Sequence, residues 1–372
     1  MRILLVDPGI NTKYPPLGLL KLGSYYRSRG YQVKLIRGLQ DCQEFDPDKI
    51  EITSLFTYAW APVHKAIEYY HQMIPDGKVR VGGLYASMMP DRIRHQYPFV
   101  TVHEGLIEDA ERYLPSYDLL SEIEKWRKWN SSILFTSRGC IRRCPFCIVP
   151  KLEGKIRSVV TDIQDFIYPG HRQIILWDNN FLSSPNWKEI LIQLKDCGLK
   201  IDFNQGLDAR LINEENAAML ADLKMPVIRM AYDDLHEHNS VTRAVSCFID
   251  QGVRPKEIIF YTLFNYYETV TNFGDSPDSF LKIIQEIAEL GCTSYPMRYE
   301  PLDSIKKNEF VSPKWTSEKL EMIADARRVI GFGGAFPPYK GLVNKFLDAS
   351  TFNEAFELRP AQPQKEIITA TG

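Results

Sequence analysis

The sequence lacks any long apolar run. Within its 372 residues no stretch approaches the roughly 20 apolar residues that cross a bilayer. The first apolar run, residues 3–6, ends at Asp7, too soon for the core of a secretory signal. We therefore expect a cytoplasmic protein with no membrane partner.

Net charge is almost absent as well, and cysteine is sparse. Lys and Arg number 45 against 47 Asp and Glu, so the net charge of −2 gives no overall attraction to nucleic acid or anionic membrane. Of seven cysteines, three lie within eight residues and the other four are scattered. An odd, clustered set favours a metal site in a reducing compartment over a disulfide framework.

The clustered cysteines are Cys140, Cys144 and Cys147. Three thiolates this close cannot all pair, and soft sulfur ligands at this density select zinc or an iron–sulfur cluster. Zinc would need a fourth ligand such as Cys197 or Cys247, although structural zinc sites usually draw on two separate cysteine pairs. A cubane held by three cysteines leaves one iron open to a small molecule, which favours catalysis.

The Cys-x3-Cys-x2-Cys spacing, with Phe146 before the last cysteine, resembles the signature of the radical S-adenosylmethionine (SAM) superfamily. The resemblance implies a [4Fe–4S] cluster on the three cysteines, with SAM chelating the fourth iron. It also implies that one electron cleaves SAM to methionine and a 5′-deoxyadenosyl radical, which abstracts hydrogen from a substrate.

Six cations surround the cysteines. They would raise the cluster's potential and guide a flavodoxin or ferredoxin donor, or else they are solvated charges. They are Arg138, Arg142, Arg143, Lys151, Lys155 and Arg157.

The first part of the chain alternates strand and helix patterns and predicts an α/β, doubly wound (Rossmann-like) domain over residues 1–110. The turns around Pro15-Pro16 and Gly82-Gly83 resemble a cobalamin-binding-type domain. That class often carries a cobalt-ligating histidine motif, which is absent here, so cobalamin is a further candidate cofactor. Tight turn geometry alone also explains the glycines. The strands are predicted at 2–6, 31–36, 50–56, 78–82 and 99–103.

The remainder is predicted as a helical linker (111–130) with a solvated charged face, a partial (β/α)6 TIM-type barrel (131–300) and a helical C-terminal extension (301–372). The barrel follows from the resemblance, whereas the alternation alone fits a barrel or an open sheet. Its helices include one at 159–168. The aromatic, glycine-rich segment 331–339 would cover the barrel mouth, stack on a base, or form a packed connection.

Polar residues at the predicted strand ends are candidate SAM ligands. The resemblance implies that Asp178 and Asn180 accept hydrogen bonds from the SAM ammonium, with a helix-capping cluster as the alternative. Arg210 is the candidate for the SAM carboxylate, and a salt bridge to Asp208 or Glu214 is the alternative.

Further along the chain, Asp233 is the candidate for the SAM ribose hydroxyls. Leu263 would pack on adenine, or else belong to the barrel core. Glu268 keeps its place in a family pattern whose two glycines are replaced here.

These patterns predict a radical SAM enzyme of undetermined isomerase, lyase or transferase class. Rearrangement or methylation of a nucleoside, nucleic acid or small molecule is the expected outcome. The alternatives are a methylthiotransferase-like enzyme, whose second cluster would need three more N-terminal cysteines where only Cys42 is present, and a non-catalytic zinc or iron–sulfur protein.

Overall fold

The computed structural model describes residues 1–268, 273–330 and 340–358. Its contacts divide the chain into two compact units. The first unit comprises Met1–Arg229 with Glu300–Phe310, and the second comprises Met230–Tyr299 with Val311–Gly372. The boundaries of the four segments drawn from the sequence stay a prediction.

A five-stranded sheet begins the first unit. Its strands are β1 (Arg2–Asp7), β2 (Gln32–Arg37), β3 (Lys49–Ser54), β4 (Val79–Gly83) and β5 (Thr101–Val102). All neighbours pair in parallel, in the order β2-β1-β3-β4-β5. β1 is apolar without interruption from Ile3 to Val6 because both faces of the sheet are covered. This strand order is one of the two common doubly wound arrangements.

Helices cover the two faces of this sheet. They are α1 (Leu17–Arg27), α2 (Trp60–His71), α3 (Leu84–Met88), α4 (Pro90–Gln96) and α5 (Glu108–Glu111). On one face, Val63 and Ile67 of α2 belong to the core, and on the other face Leu19 of α1 packs with Trp126. Burying each such side chain stabilises the fold by about 1.5–3 kcal/mol. Trp126, in the predicted linker, is therefore part of the core.

Gly83 ends β4 with a backbone that only glycine fits well. Its φ is +101°, and an added Cβ would lie 2.1 Å from the Ser54 carbonyl oxygen. Backbone geometry alone thus explains this glycine.

A three-stranded parallel sheet follows in the same unit. Its strands are β6 (Ser131–Leu134), β9 (Gln173–Leu176) and β10 (Lys200–Phe203), in the order β10-β9-β6. Between β6 and β9 lie the antiparallel pair β7 (Ser137–Arg138) and β8 (Arg157–Ser158) and the short helix α6 (Val149–Leu152). Helices α7 (Trp187–Cys197) and α8 (Glu214–Ala221) follow β9 and β10.

The helix predicted at 159–168 is wrong. Only a single 3-10 turn, Gln164–Phe166, forms there. The Gln193 side chain accepts a hydrogen bond from the Ile163 amide and donates one to the Thr161 carbonyl, at 2.9 and 2.8 Å. Bonds from a neighbouring helix thus replace the intrahelical ladder that the pattern suggested.

The second unit contains a sheet in the order β11-β12-β15, in which β12 and β15 pair in parallel. Its strands are β11 (Ile228–Ala231, which begins in the first unit), β12 (Ile258–Phe264) and β15 (Thr293–Arg298), and the pair β13 (Tyr267–Glu268) and β14 (Phe273–Gly274) follows β12. Its helices are α9 (His238–Asp250), α10 (Pro277–Glu289), α11 (Ser317–Ile330), α12 (Lys340–Asp348) and α13 (Phe352–Phe356).

The mixed α/β class with parallel sheets is confirmed. Closure of the two three-stranded sheets into a partial barrel stays a prediction. The aromatic segment 331–339 lies outside the described residues. None of the helices in the described ranges is both long and apolar enough to cross a membrane.

Candidate functional site

The three clustered cysteines lie on one loop between the paired strands β7 and β8. We call residues 139–156 the cysteine loop. Cys140, Cys144 and Cys147 are half-buried, and the Cys147 amide donates to the Cys144 carbonyl at 3.0 Å. Phe146 is half-buried on the same loop. In the ranges that the structure describes, no three His, Cys, Asp or Glu side chains converge on a metal position.

Gly139 sets the path of the chain into the cysteine loop. Its φ is +83°, and an added Cβ would lie 2.3 Å from the carbonyl oxygen of Lys155. The two ends of the loop therefore approach so closely that no side chain fits between them.

Cys140 receives two N–H groups. Its Sγ accepts from the Arg142 amide at 3.2 Å and from Asn180 Nδ2 at 3.6 Å. Hydrogen bonds to sulfur stabilise a thiolate and tune an iron–sulfur centre. The other amide atom, Asn180 Oδ1, is buried without a hydrogen-bond partner among the described residues. These donors and this unused acceptor fit a cysteine-bound cluster with an ammonium-bearing ligand beside it.

Asp178 is turned towards the chain that leads to the cysteine loop. Its carboxylate accepts from the amide and hydroxyl of Thr136 and from the amide and hydroxyl of Ser137, at 2.6–3.1 Å. Burial raises the pKa of Asp178, and these hydrogen bonds oppose the rise. These contacts join Asp178 to the segment that follows β6, and its predicted hydrogen bond from the SAM ammonium stays a prediction.

Asp208, which sequence analysis considered only as a partner of Arg210, is the centre of a charged cluster. One carboxylate oxygen accepts from Arg210 Nε at 2.7 Å, and the other accepts from Arg142 Nε at 2.9 Å and Asn180 Nδ2 at 3.0 Å. Burial favours a higher pKa for Asp208, but the two arginines outweigh it and hold the pKa below its usual range. The salt bridge that the sequence left open for Arg210 is therefore formed, and the Asp-x-Arg spacing was its signal.

The candidates beyond Arg229 lie in the second unit. Asp233 accepts a hydrogen bond from the Leu263 amide at 2.8 Å, so the ends of β11 and β12 are joined there. Leu263 is half-buried, and Glu268 is half-buried in β13. The structure thus brings Asp233 and Leu263 together, as it brings Asn180 together with Cys140 in the first unit.

A cavity of about 510 Å³ lies within the first unit. Segments that follow β1, β3, β9 and β10 line it, so it collects the carboxyl ends of strands from both sheets. Tyr14 is central, because its hydroxyl accepts from Asn204 Nδ2 at 2.7 Å and its ring meets Trp177 edge-on at 5.3 Å. Sequence analysis missed Tyr14 and Trp177, although both lie at predicted strand ends or their loops.

Sequence relatives of this chain are methylthiotransferases. A ribosomal protein uS12 methylthiotransferase, RimO, of Thermus thermophilus is 24% identical over 156 residues, which are 37% of this chain and 36% of the relative. A tRNA-2-methylthio-N(6)-dimethylallyladenosine synthase of Christiangramia forsetii is 27% identical over 215 residues, 50% of this chain and 42% of the relative. The chain spans less than half the length of these curated relatives. No protein-family model matches the chain.

Solved structures share the fold. The radical SAM methyltransferase TsrM of Kitasatospora setae, with cobalamin and a [4Fe–4S] cluster bound, superposes with a TM-score of 0.60 at 13% identity, covering 81% of this chain and 77% of that one. The cobalamin-dependent radical SAM enzyme OxsB gives 0.55 at 16% identity, covering 76% and 52%. The resemblance to the radical SAM enzymes is therefore confirmed, and the likeness to TsrM and OxsB is a likeness of fold.

Proposed function

We propose that this chain is a radical SAM enzyme whose Cys140, Cys144 and Cys147 hold a [4Fe–4S] cluster. The carrying observation is Cys140, whose Sγ accepts two N–H groups beside the unused Oδ1 of Asn180. When bound, the cluster supplies the electron that cleaves SAM to methionine and a 5′-deoxyadenosyl radical, and the radical takes hydrogen from the substrate.

The chain's own residues would then bind and orient SAM. Asn180 Oδ1 accepts from the ammonium, since it is a buried acceptor beside a cluster ligand. Arg210, fixed by Asp208, faces the carboxylate. Asp178 acts through Thr136 and Ser137, which it holds in place ahead of the cysteines.

The remaining proposed SAM contacts are ribose for Asp233, adenine for Leu263, and a supporting position for Phe146 and Glu268. The hydrogen bond from the Leu263 amide to Asp233 supports a shared role for that pair.

Cobalamin is the proposed second cofactor, and methyl transfer or rearrangement is the proposed outcome. The supporting observation is the cavity of about 510 Å³, which is mostly apolar and is edged by Tyr14, Trp177 and Asn204. The described lining residues include no histidine, and Asp7 and the loop after β1 are among the residues that would hold the cobalamin. Desalting after incubation with hydroxocobalamin should leave corrin absorbance on the protein, and complete loss of that absorbance would refute this cofactor.

Anaerobic reconstitution with iron and sulfide tests the main proposal. Wild type should become brown, bind about four irons per chain and form 5′-deoxyadenosine from SAM with dithionite. Cys144→Ala should lose both properties. Cys197→Ala is the matched control, because Cys197 lies at the end of α7 and its thiol donates to the Leu194 carbonyl at 3.0 Å. A colourless protein with one zinc that Cys197→Ala releases would overturn the proposal.

Methylthiotransfer is the second candidate function, favoured by the sequence relatives. It needs a further cluster, and only Cys42 precedes Cys140. About eight irons per chain instead of four would select it. A nucleoside, nucleic acid or small molecule as substrate, a flavodoxin or ferredoxin as reductant and a cytoplasmic location belong to the same proposal. The exposed cations Arg143, Lys151 and Lys155 support an acidic electron donor.

A further inference from the structure

A chain of alternating charges runs through the interior of the first unit. Lys21 Nζ lies 3.0 Å from a Glu111 oxygen, and the same oxygen accepts from Arg138 Nη2 at 2.6 Å. Arg138 Nη1 in turn donates to Glu153 at 2.9 Å. Only 6–19% of each of these four side chains is exposed. We call Lys21, Glu111, Arg138 and Glu153 the loop clamp.

Glu153, which itself lies in the cysteine loop, also joins the start of that loop to the segment after β9. The second carboxylate oxygen of Glu153 accepts from the Gly139 amide and from Asn179 Nδ2, each at 2.9 Å. Gly139 precedes Cys140, and Asn179 precedes Asn180, whose amide contacts the Cys140 sulfur. Glu153 therefore fixes both the ligand and the side chain that donates to it.

Stability alone does not explain why these four charged side chains are buried together. Buried ion pairs often contribute less to stability than apolar side chains of the same volume, because two charges must leave water. What they do provide is fixed geometry and fixed charge. The Arg138 guanidinium lies 3.4 Å from the ring centre of Phe135 and donates to two carboxylates, so it has little freedom to move.

We propose that the loop clamp positions the cysteine loop and sets the charge beside the cluster, with Arg138 and Glu153 as the positioning residues. This inference rests on the proposed function, because it requires the cysteines to hold a cluster. A reduced cluster carries one more negative charge than an oxidised one. Loss of a neighbouring negative charge therefore favours reduction, and loss of a neighbouring positive charge opposes it.

The sign of the change tests the loop clamp. Glu153→Gln should shift the cluster's reduction potential upward, and Arg138→Gln should shift it downward. Arg112→Gln is the matched control, since Arg112 follows Glu111 but is exposed and pairs with Asp109 at the surface, so solvent should screen its loss. Arg138→Lys keeps the charge and should return the potential to the wild-type value. The measurement is an anaerobic redox titration followed by electron paramagnetic resonance, with and without SAM.

The outcomes separate this inference from the proposed function. Wild type that takes up no cluster refutes the function. Wild type with a normal cluster, together with variants whose potentials and SAM-induced spectra match it, refutes the loop clamp alone. A third outcome is that both variants lose part of their iron while the remaining clusters show no opposite shifts in reduction potential. That result would mean that the loop clamp only supports folding, and it would also refute the inference. If Arg138→Gln is insoluble, Glu153→Gln against Arg112→Gln decides.

Discussion

The carboxyl ends of the two three-stranded sheets are built differently. In the first unit, Asp208 lies between Arg142 and Arg210, so its charge is balanced by side chains. In the second unit, Asp275 accepts from the backbone amides of Asn265 and Tyr266, at 3.0 and 2.6 Å. Asp208 thus pairs with charged side chains, whereas Asp275 accepts hydrogen bonds from backbone amides.

This difference shows in the pKa values. The two arginines hold the pKa of Asp208 below its usual range despite burial. For Asp275, burial dominates over the hydrogen bonds from Tyr266 and Asn265 and raises the pKa to about 7. Asp208 therefore stays charged near neutral pH, whereas the Asp275 carboxyl changes its charge there.

The largest expected effect is a loss of unfolding free energy on removing the Asp178 carboxylate, compared with the Asp233 carboxylate. Asp178→Ala leaves two buried amides and two buried hydroxyls of Thr136 and Ser137 without their acceptor, so we expect a loss of about 3–6 kcal/mol in unfolding free energy. Asp233→Ala removes the acceptor of the Leu263 amide and should cost about 1 kcal/mol. Urea denaturation of both variants measures this, and equal losses would break the comparison.

The next effect is a pH dependence in the second unit. The folded-state pKa of Asp275, about 7, exceeds its usual value of 3.8, so between these values the folded state binds more protons and stability falls as pH rises. Asp275→Asn should remove this slope, worth on the order of 2–4 kcal/mol between pH 4 and 7. Denaturation at several pH values checks it, with exposed Asp278→Asn as control. An unchanged slope in Asp275→Asn would contradict the assignment.

His171 in the first unit should show the opposite slope. Burial lowers its pKa to about 4 from 6.5, so between these values the unfolded state binds more protons and stability rises with pH. Because the ring is only half-buried, we expect about 1–2 kcal/mol after solvent screening. The same titration on His171→Gln, compared with exposed His95→Gln, measures the difference. If the pH dependence of stability disappears in His95→Gln and persists in His171→Gln, it does not come from His171.

The smallest effect belongs to an exposed ion pair. Lys195 and Asp222 lie 2.6 Å apart, but both side chains are mostly in solvent. Lys195→Ala should leave the melting temperature unchanged within error, because solvent screens such pairs. Calorimetry in low salt is the check. A clear loss there would mean that burial is not what separates the loop clamp from ordinary surface pairs.

The sequence was most informative where the signal was local. The cysteine spacing located the site, and the apolar runs located β1 and β4 to within a residue or two. The Asp-x-Arg spacing suggested the pair of Asp208 and Arg210. These features depend on neighbours within a few residues, and composition and period reveal such neighbours.

Long-range pairing could not be predicted. Lys21 and Glu111 are ninety residues apart, and Glu111 belongs to a segment that the sequence suggested was solvated. The direction of the Asp178 side chain could not be predicted either, because the sequence is the same whether a strand-end carboxylate faces a ligand or the preceding strand. Only the pairing of β6 with β9 decides which donors reach it.

The loop clamp also limits how this chain can be cut and transplanted. Lys21 and Glu111 come from the first 111 residues, whereas Arg138 and Glu153 flank the cysteines. A fragment that starts at β6 would lack Glu111, which is one of the two carboxylates that pair with Arg138. The cysteine loop therefore cannot be moved to another protein by itself, and any scaffold that receives it must supply a carboxylate in place of Glu111.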